Sequence, residues 1–472
     1  MVNKIVFLFV LCAFSAYSAV NFPYPQEKNY GNGTINTTVA NASANLKTKF
    51  TSFFSTHYEE NQNKTMGRIK YDDTQQTVSE GIGYGMIMMV YFSDNNRSYK
   101  DEFDRLWKYY NNFLDQRGLM NWKINGFNNA IEYNAATDAE FDVAFALEMA
   151  YYQFGDQKYR DDAAALIGKI KQYEMEPDGL HKPGDGWGEN IARRNPSYVS
   201  PAAFELFKRV DNSFWTTALT RNYTLLKANR NSNTGLPSDW CNNNGNPESN
   251  YFGYDASRAP WRWAWSYAWF GHSDAKDLLD KLAAWVSTKD VANIKGSIDI
   301  TNGNPGSDNN STFIGPLTNA MQVDSKYQTN VNNYWTALIA KDEDRYFQKA
   351  MQLLTGLLAT GNMPNLKALA EALPSSSSVS ATPSSSSNGG TPILMFPQIV
   401  LSNSAIASKN GINLAVKSNA TVEVFGLKGN SMRKFSFTNG VYSVSFSDLP
   451  KGLYIVKVSF GNEKRILRIP VN

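Results

Sequence analysis

A chain of 472 residues, 42% hydrophobic and 13% aromatic, is long enough for more than one domain and can build a large core. Its formal net charge of +3 gives no reason to expect nucleic acid or a membrane surface as partner. The charge is unevenly placed: from Leu394 onward ten Lys and Arg stand against three Asp and Glu, so a basic tail module follows a mildly acidic main body.

At the N-terminus, Lys4, the apolar run Ile5 to Phe14 and then Ala16-Tyr17-Ser18 have the layout of a cleavable secretory signal, cut near Ser18 or Ala19. Residues 1–19 are therefore set apart. The run is too short to span a membrane comfortably, and no later stretch is long and apolar enough. Cys12 leaves with the signal and Cys241 remains alone, so the exported chain relies on its core rather than on disulfides. His57, His181 and His272 are widely separated. A zinc-hydrolase or Cys-His mechanism is hard to assemble from them, and neither a metal nor a cofactor is expected.

After the Pro-interrupted lead-in Asn21 to Gln26, apolar residues recur at three- and four-residue spacing. They predict helices near 41–58, 79–92, 99–114, 138–154, 158–174, 201–210, 212–228, 258–270, 273–287, 313–322, 326–340 and 344–359. In the third, Phe103, Leu106, Trp107, Tyr110 and Phe113 make one stripe; in the fifth, Tyr159, Leu166, Ile167, Ile170 and Tyr173 do so, and both read as core. The second helix is unusual. Ser79 reads as its N-cap, Glu80 stands in the first turn, and Gly81, Gly83 and Gly85 follow at a cost of about 1 kcal/mol each relative to Ala. Missing Cβ atoms there serve either tight helix packing or a ligand approaching Glu80. A phosphate loop fits less well, because the spacing is not G-x-G-x-x-G and no strand is predicted ahead of it.

Twelve helices in antiparallel pairs can close into a barrel with every second helix inside and all inner N-termini at one end. Glu80 opens the second helix, Asp138 opens the fourth and Asp255 just precedes the eighth, so an even-numbered inner ring brings the three carboxylates to one face. The long polar connections 115–137, 175–200 and 229–257 line the same face and carry Trp122, Trp187 and Tyr254.

The helical pattern fades after Pro364 and Leu366–Leu373, and residues 374–393 are almost entirely Ser, Pro, Thr, Gly and Ala, the composition of a flexible linker. Beyond it come short β-like runs at Ile412–Val416, Thr421–Phe425, Lys434–Phe437, Tyr442–Phe446, Leu453–Val458 and Arg465–Ile469. Asn439-Gly440 reads as a hairpin turn, with further turns at Lys451-Gly452 and Gly461-Asn462. The expected organisation is a mainly α catalytic domain over 20–373, the linker 374–393, and a small all-β sandwich over 394–472.

Three carboxylates with aromatic shelves point to glycoside hydrolysis, where one carboxyl protonates the leaving oxygen and another handles water or the sugar. A helix N-terminus favours ionised Glu80, whereas a general acid must hold its proton. Burial or a nearby carboxylate such as Asp138 has to raise its pKa. Trp122, Trp187 and Tyr254 offer flat faces for the C–H faces of pyranose rings, with a place in the core as the alternative for each.

The segments Ser79-Glu80-Gly81-Ile82-Gly83-Tyr84-Gly85-Met86, Gly118-Leu119-Met120-Asn121-Trp122, Ala135-Ala136-Thr137-Asp138-Ala139, Lys182-Pro183-Gly184-Asp185-Gly186-Trp187-Gly188, Asn195-Pro196-Ser197-Tyr198, Tyr254-Asp255-Ala256-Ser257-Arg258 with Trp261-Arg262, and Phe313-Ile314-Gly315-Pro316 resemble, in order, the motifs of glycoside hydrolase family 8. The likeness covers most of residues 21–366. It implies an (α/α)6 barrel and inverting cleavage of β-1,4 glycans: cellulose or mixed-linkage glucan, xylan, or chitosan. By this resemblance Glu80 matches the general acid, Asp255 the general base and Asp138 the carboxylate that grips and distorts the central sugar. Tyr198 and Arg258 match the pair that hold the base, and Trp122, Trp187 and Tyr254 match aromatic subsite residues. The sequence departs from the family at Glu140, where Asp is usual, at Val143, where Ile or Met is usual, and at Glu148, where an apolar residue is usual. These departures bear on the packing of that helix. The run Lys451 to Val458 followed by Lys464 to Ile469 resembles sorting modules of the type nine secretion route, with a carbohydrate-binding module as the rival.

The expected protein is a secreted or cell-surface endo-β-1,4-glucanase. A xylanase on the same scaffold and a catalytically silent glycan-binding protein are the alternatives. Its expected partners are a β-1,4-linked polysaccharide and, through the tail, secretion machinery or the cell surface; it is expected to act as a monomer.

Overall fold

The computed structural model describes residues 20–188, 191–372, 404–408, 411–427, 429–446, 449–461 and 463–471. The expected signal 1–19 and linker 374–393 lie outside them. The chain divides into two compact units, the first ending at Lys367.

In the first unit the helices run α1 (Ala42–His57), α2 (Ser79–Phe92), α3 (Lys100–Asn112), α4 (Thr137–Phe154), α5 (Gln157–Tyr173), α6 (Pro201–Phe207), α7 (Asn212–Asn229), α8 (Arg258–Phe270), α9 (Ser273–Val286), α10 (Ser311–Met321), α11 (Gln328–Ala340) and α12 (Tyr346–Ala359). A short α13 (Leu366–Glu371) follows. Each even helix packs on the next even helix, and α12 closes back on α2; α3, α5, α7, α9 and α11 each back the even helix before them in sequence, and α1 backs α12. This is the (α/α)6 barrel, and burial explains the alternation. Inner helices such as α2, α4 and α10 are buried on nearly every side, whereas outer ones such as α3 and α9 bury a single stripe. In α2 every residue except Glu80 is buried. The predicted stripes of α3 and α5 lie in the core, with Trp107 and Tyr173 at the margin.

The glycines of α2 serve packing first. A Cβ at Gly83 would stand 3.3 Å from the Ala139 carbonyl of α4 and 3.0 Å from Cβ of Asp142, so α4 could not lie as close. Ser79 is not the cap. Val78 holds that position in extended conformation and Ser79 is already helical, because a three-residue strand, Gln76–Val78, runs directly into the helix. That strand, unexpected from sequence, pairs with Lys123–Asn125, which pairs in turn with Asn129–Glu132.

Beyond α13, which spans the boundary, the described residues of the second unit form one five-stranded sheet. Strand Gly411–Phe425 pairs along its length with Ser431–Ser445; on its other edge it meets Ser404–Ser408 at one end and Gly452–Phe460 at the other, and Glu463–Val471 pairs beside Gly452–Phe460. Two runs read as separate strands, Ile412–Val416 and Thr421–Phe425, are thus one strand with a register break between Val416 and Asn419. Ile412, Leu414, Val416, Val422 and Val424, from both sides of that break, feed one core with Phe446, Val456, Val458 and Ile469. Asn439-Gly440 is not a hairpin turn. Gly440 lies inside Ser431–Ser445 opposite Val416, at the edge of the break, so a turn-like dipeptide serves a bulge instead. Gly461, at φ 62, does form the tight turn after Phe460.

Candidate active site

The three carboxylates converge on a single side chain. Arg258, the first residue of α8 and 4% exposed, donates from Nη1 to Glu80 Oε2 at 2.6 Å and to Asp138 Oδ2 at 2.7 Å, and from Nη2 to Asp255 Oδ1 at 2.8 Å. Its Nε also reaches Ser197 Oγ at 3.1 Å. Glu80 and Asp138 sit in the first turns of α2 and α4, and Asp255 in the turn that leads into α8. The inner-ring rule read from the sequence places them so.

Their environments differ. Asp138 is buried at 2% exposure, the Glu80 side chain is 16% exposed, and the Asp255 side chain opens to 38%. Burial pushes the Glu80 pKa up, against the lowering effects of Arg258 and the Tyr346 hydroxyl, which donates to Oε1 at 3.1 Å. The negative neighbour that adds to this rise is Asp142. Asp138 is pushed up to about 7, first by burial, against Arg258 and with help from Glu80. The two carboxyls share one guanidinium nitrogen and therefore hold their protons jointly. Such a site can keep a carboxylic acid protonated above the usual carboxylate range while a third carboxylate, more open to water, stands on the other nitrogen.

Tyr198 lies under the Arg258 guanidinium, with its ring centroid 5.1 Å from Cζ, so it bears on Asp255 through the arginine. Among the described residues, the donors to the Asp255 carboxylate are Arg258 and the indole N–H of Trp240, which reaches Oδ2 at 2.9 Å. Sequence reasoning missed Trp240 and Tyr346. Tyr346 opens α12, another inner helix, so the rule that picked Glu80 and Asp138 also points to it. A Cβ at Gly81 would come within 3.2 Å of its hydroxyl, which gives that glycine a role beside Glu80.

The aromatic shelves are exposed or half-exposed. Trp187 is 46% and Tyr254 43% exposed, which is unlike the wholly buried Trp215, Trp261, Trp263, Trp265 and Trp335. Trp122 is half-buried, its main chain receiving Ser79 N at 2.8 Å, which ties it to the opening of α2. Trp187 rides on a loop docked at the start of α4: Asp185 accepts from Ala135 N at 2.8 Å, and a Cβ at Gly184 would collide with the Ala135 carbonyl at 2.2 Å. Tyr254 packs edge-on against Phe313 at 5.0 Å.

The unusual residues of α4 are accommodated. Glu140 accepts from Tyr110 at 3.2 Å and burial drives its pKa well up, while Glu148 pairs with Arg209. Cys241 packs with Leu180 and Leu225, and burial raises its thiol to about 12, so it behaves as a small apolar residue.

Known proteins share this fold. The chain is 32% identical over 373 residues to "Endoglucanase C" of Ruminiclostridium cellulolyticum, covering 75% of this chain and 80% of that protein. Among solved structures, a beta-1,3-1,4-glucanase from Paenibacillus sp. X4 superposes with a TM-score of 0.69 at 24% identity, over 73% of this chain and 99% of that one. A reducing-end-xylose releasing exo-oligoxylanase does so with a TM-score of 0.60 at 21% identity, over 68% and 93%. Residues 408–472 match the secretion system C-terminal sorting domain, which assigns the protein to the secreted or cell-surface class. Residues 22–362 match glycosyl hydrolases family 8, and the chain belongs to that family of glycoside hydrolases.

Proposed function

We propose that the protein is an inverting endo-β-1,4-glucanase acting on cellulose or mixed-linkage glucan, with Glu80 as general acid and Asp255 as general base. The observation that carries this reading is the shared guanidinium, which groups a protonatable Glu80 and Asp138 on one nitrogen and an open Asp255 on the other. In the reaction, Glu80 gives its proton to the glycosidic oxygen as the bond to the anomeric carbon breaks. Water forms the new bond from the opposite face and passes a proton to Asp255. Asp138 grips and distorts the sugar at the cleavage point, and Trp122, Trp187 and Tyr254 carry the flanking sugars. The likeness to an endoglucanase supports glucan over the xylanase alternative. A silent glycan binder has no need of a carboxyl held protonated by burial.

Reducing-sugar release from soluble cellulose, lichenan, xylan and chitosan, measured side by side, tests the substrate. Fastest release from xylan or chitosan would overturn the glucan reading. Proton NMR of the first product tests the stereochemistry: the α-anomer should appear from a β-linked substrate. We also propose that residues 1–19 are a cleaved signal, that 374–393 are a linker, and that 20–373 carries all the chemistry. A chain ending near Leu373 should then keep full turnover on soluble substrate and sediment as a monomer.

A further inference from the structure

We propose that Trp240 is a positioning residue for the water-activating carboxylate, and that it links the setting of Asp255 to the Trp187 sugar platform. The inference rests on Asp255 being the base, as proposed above.

Asp255 lies on a turn and its side chain is 38% exposed, so packing alone does not fix its carboxylate plane. Two donors do. Arg258 holds Oδ1, but it also holds Glu80 and Asp138, so its pull on the base varies as those carboxyls gain and lose protons. The indole N–H on Oδ2 is independent of that exchange. An indole nitrogen donates and cannot accept, so Trp240 orients the carboxylate without competing for the proton that Asp255 takes from water.

Trp240 is itself clamped. Its ring lies 4.1 Å from the Arg193 guanidinium, which is tied to Glu248 at 2.7 Å, and it stacks with Trp187 at 6.3 Å between centroids and 29° between planes. The preceding Asp239 accepts from Gly253 N at 2.9 Å and Ala256 N at 2.8 Å, bracketing Asp255 on both sides. A Cβ at Gly253 would stand 2.3 Å from Asp239 Oδ2, so the bracket needs glycine there. One dipeptide thus fixes the turn through Asp239 and the carboxylate through Trp240, with the far face of the Trp240 stack presented by an exposed tryptophan.

The test uses the full chain with Trp240→Phe, which keeps a ring and removes the N–H. A soluble β-1,4-glucan is compared with a β-cello-oligosaccharyl fluoride. The fluoride leaves without a proton from Glu80 but still needs water activated. We expect kcat to fall roughly 10- to 100-fold, the worth of a hydrogen bond to a charged acceptor. KM should change less than about twofold, and the loss should be the same on both substrates, whereas Glu80→Gln recovers on the fluoride. Benzothienylalanine at position 240, an isostere lacking the N–H, should reproduce the loss and guards against a folding defect in the first variant. A raised KM with unchanged kcat would make Trp240 only a sugar platform and overturn the proposal. A kcat loss that disappears on the fluoride would place its effect on the acid side and overturn it equally. If Asp255→Asn kept its turnover, the assignment of the base would fall and this inference with it.

Discussion

Arg258 and Arg262 stand one turn apart on α8, both buried, and the company they keep differs. Arg262 makes a two-pronged pair with Asp142, at 2.7 and 2.8 Å, in which neither side chain is exposed at all. One cation there meets one anion, and the geometry uses both carboxylate oxygens. Arg258 meets three carboxylates with the same number of donors, and the site it organises opens toward solvent at Asp255. Three negative groups around one cation cannot all be ionised cheaply in a buried setting, which favours a retained proton, and burial pushes Glu80 and Asp138 in that direction. The difference teaches that a balanced buried ion pair leaves no charge uncompensated, while an unbalanced one favours keeping a carboxyl protonated.

The sharpest break of this comparison comes at the unbalanced arginine. Glu80→Gln and Asp255→Asn should each lower kcat/KM on soluble glucan by roughly 10²- to 10⁴-fold, the range for acid-base groups, with thermal melting little changed. Asp138→Asn should also be severely impaired, through lost sugar distortion. A melting shift of the kind expected for Arg262 would assign these carboxylates to the scaffold instead.

At the balanced arginine the effect moves from turnover to stability. Arg262→Met strands Asp142 as a buried charge and should cost about 3–5 kcal/mol in denaturant unfolding. Adding Asp142→Leu should recover most of that loss, because replacing both partners by apolar groups removes the stranded charge. A single variant as stable as the parent protein would contradict the assignment of this pair to the scaffold.

These two arginines also mark how far the sequence could be read. Apolar spacing located all twelve barrel helices to within a few residues, and the alternation of inner and outer helices placed Glu80, Asp138 and Asp255 together, because the N-termini of the inner helices lie at one end of the barrel. It could not assign Ser79 correctly, since a strand entering the helix supplies the cap position from Val78, a residue with no capping chemistry. Trp240 was invisible for a different reason: it sits on a long connection, where no periodicity shows which side chain turns toward the site. In the second unit, Asn439-Gly440 has the composition of a hairpin turn but lies in a continuous strand opposite a bulge, a use that composition does not distinguish. The strand Ser404–Ser408 was missed as well, five residues of Ser, Ala and Ile with little strand propensity that pair with residues 411–415.

A smaller effect separates sugar platforms from core aromatics. Trp187→Ala should raise KM for long oligosaccharides and leave melting nearly unchanged, because the ring is 46% exposed. Trp215→Ala, wholly buried against Phe204 and Phe207, should instead lose about 3–5 kcal/mol of stability. A large melting shift for Trp187 with unaltered oligosaccharide affinity would retire the platform.

The smallest expected effect tunes the unbalanced site without dismantling it. The Tyr346 hydroxyl donates to Glu80 and favours its ionised form, working with Arg258 to hold the Glu80 pKa down against burial. A general acid works only while protonated, so activity is lost as pH rises through its pKa. Removing a donor to the ionised form raises that pKa, and Tyr346→Phe should therefore move the alkaline limb of kcat/KM to higher pH. A hydrogen bond of about 1 kcal/mol corresponds to a shift below about one unit. A shift of the alkaline limb to lower pH would mean that the phenol accepts a proton from Glu80 in the working enzyme, reversing the direction of this hydrogen bond and the role of Tyr346 with it.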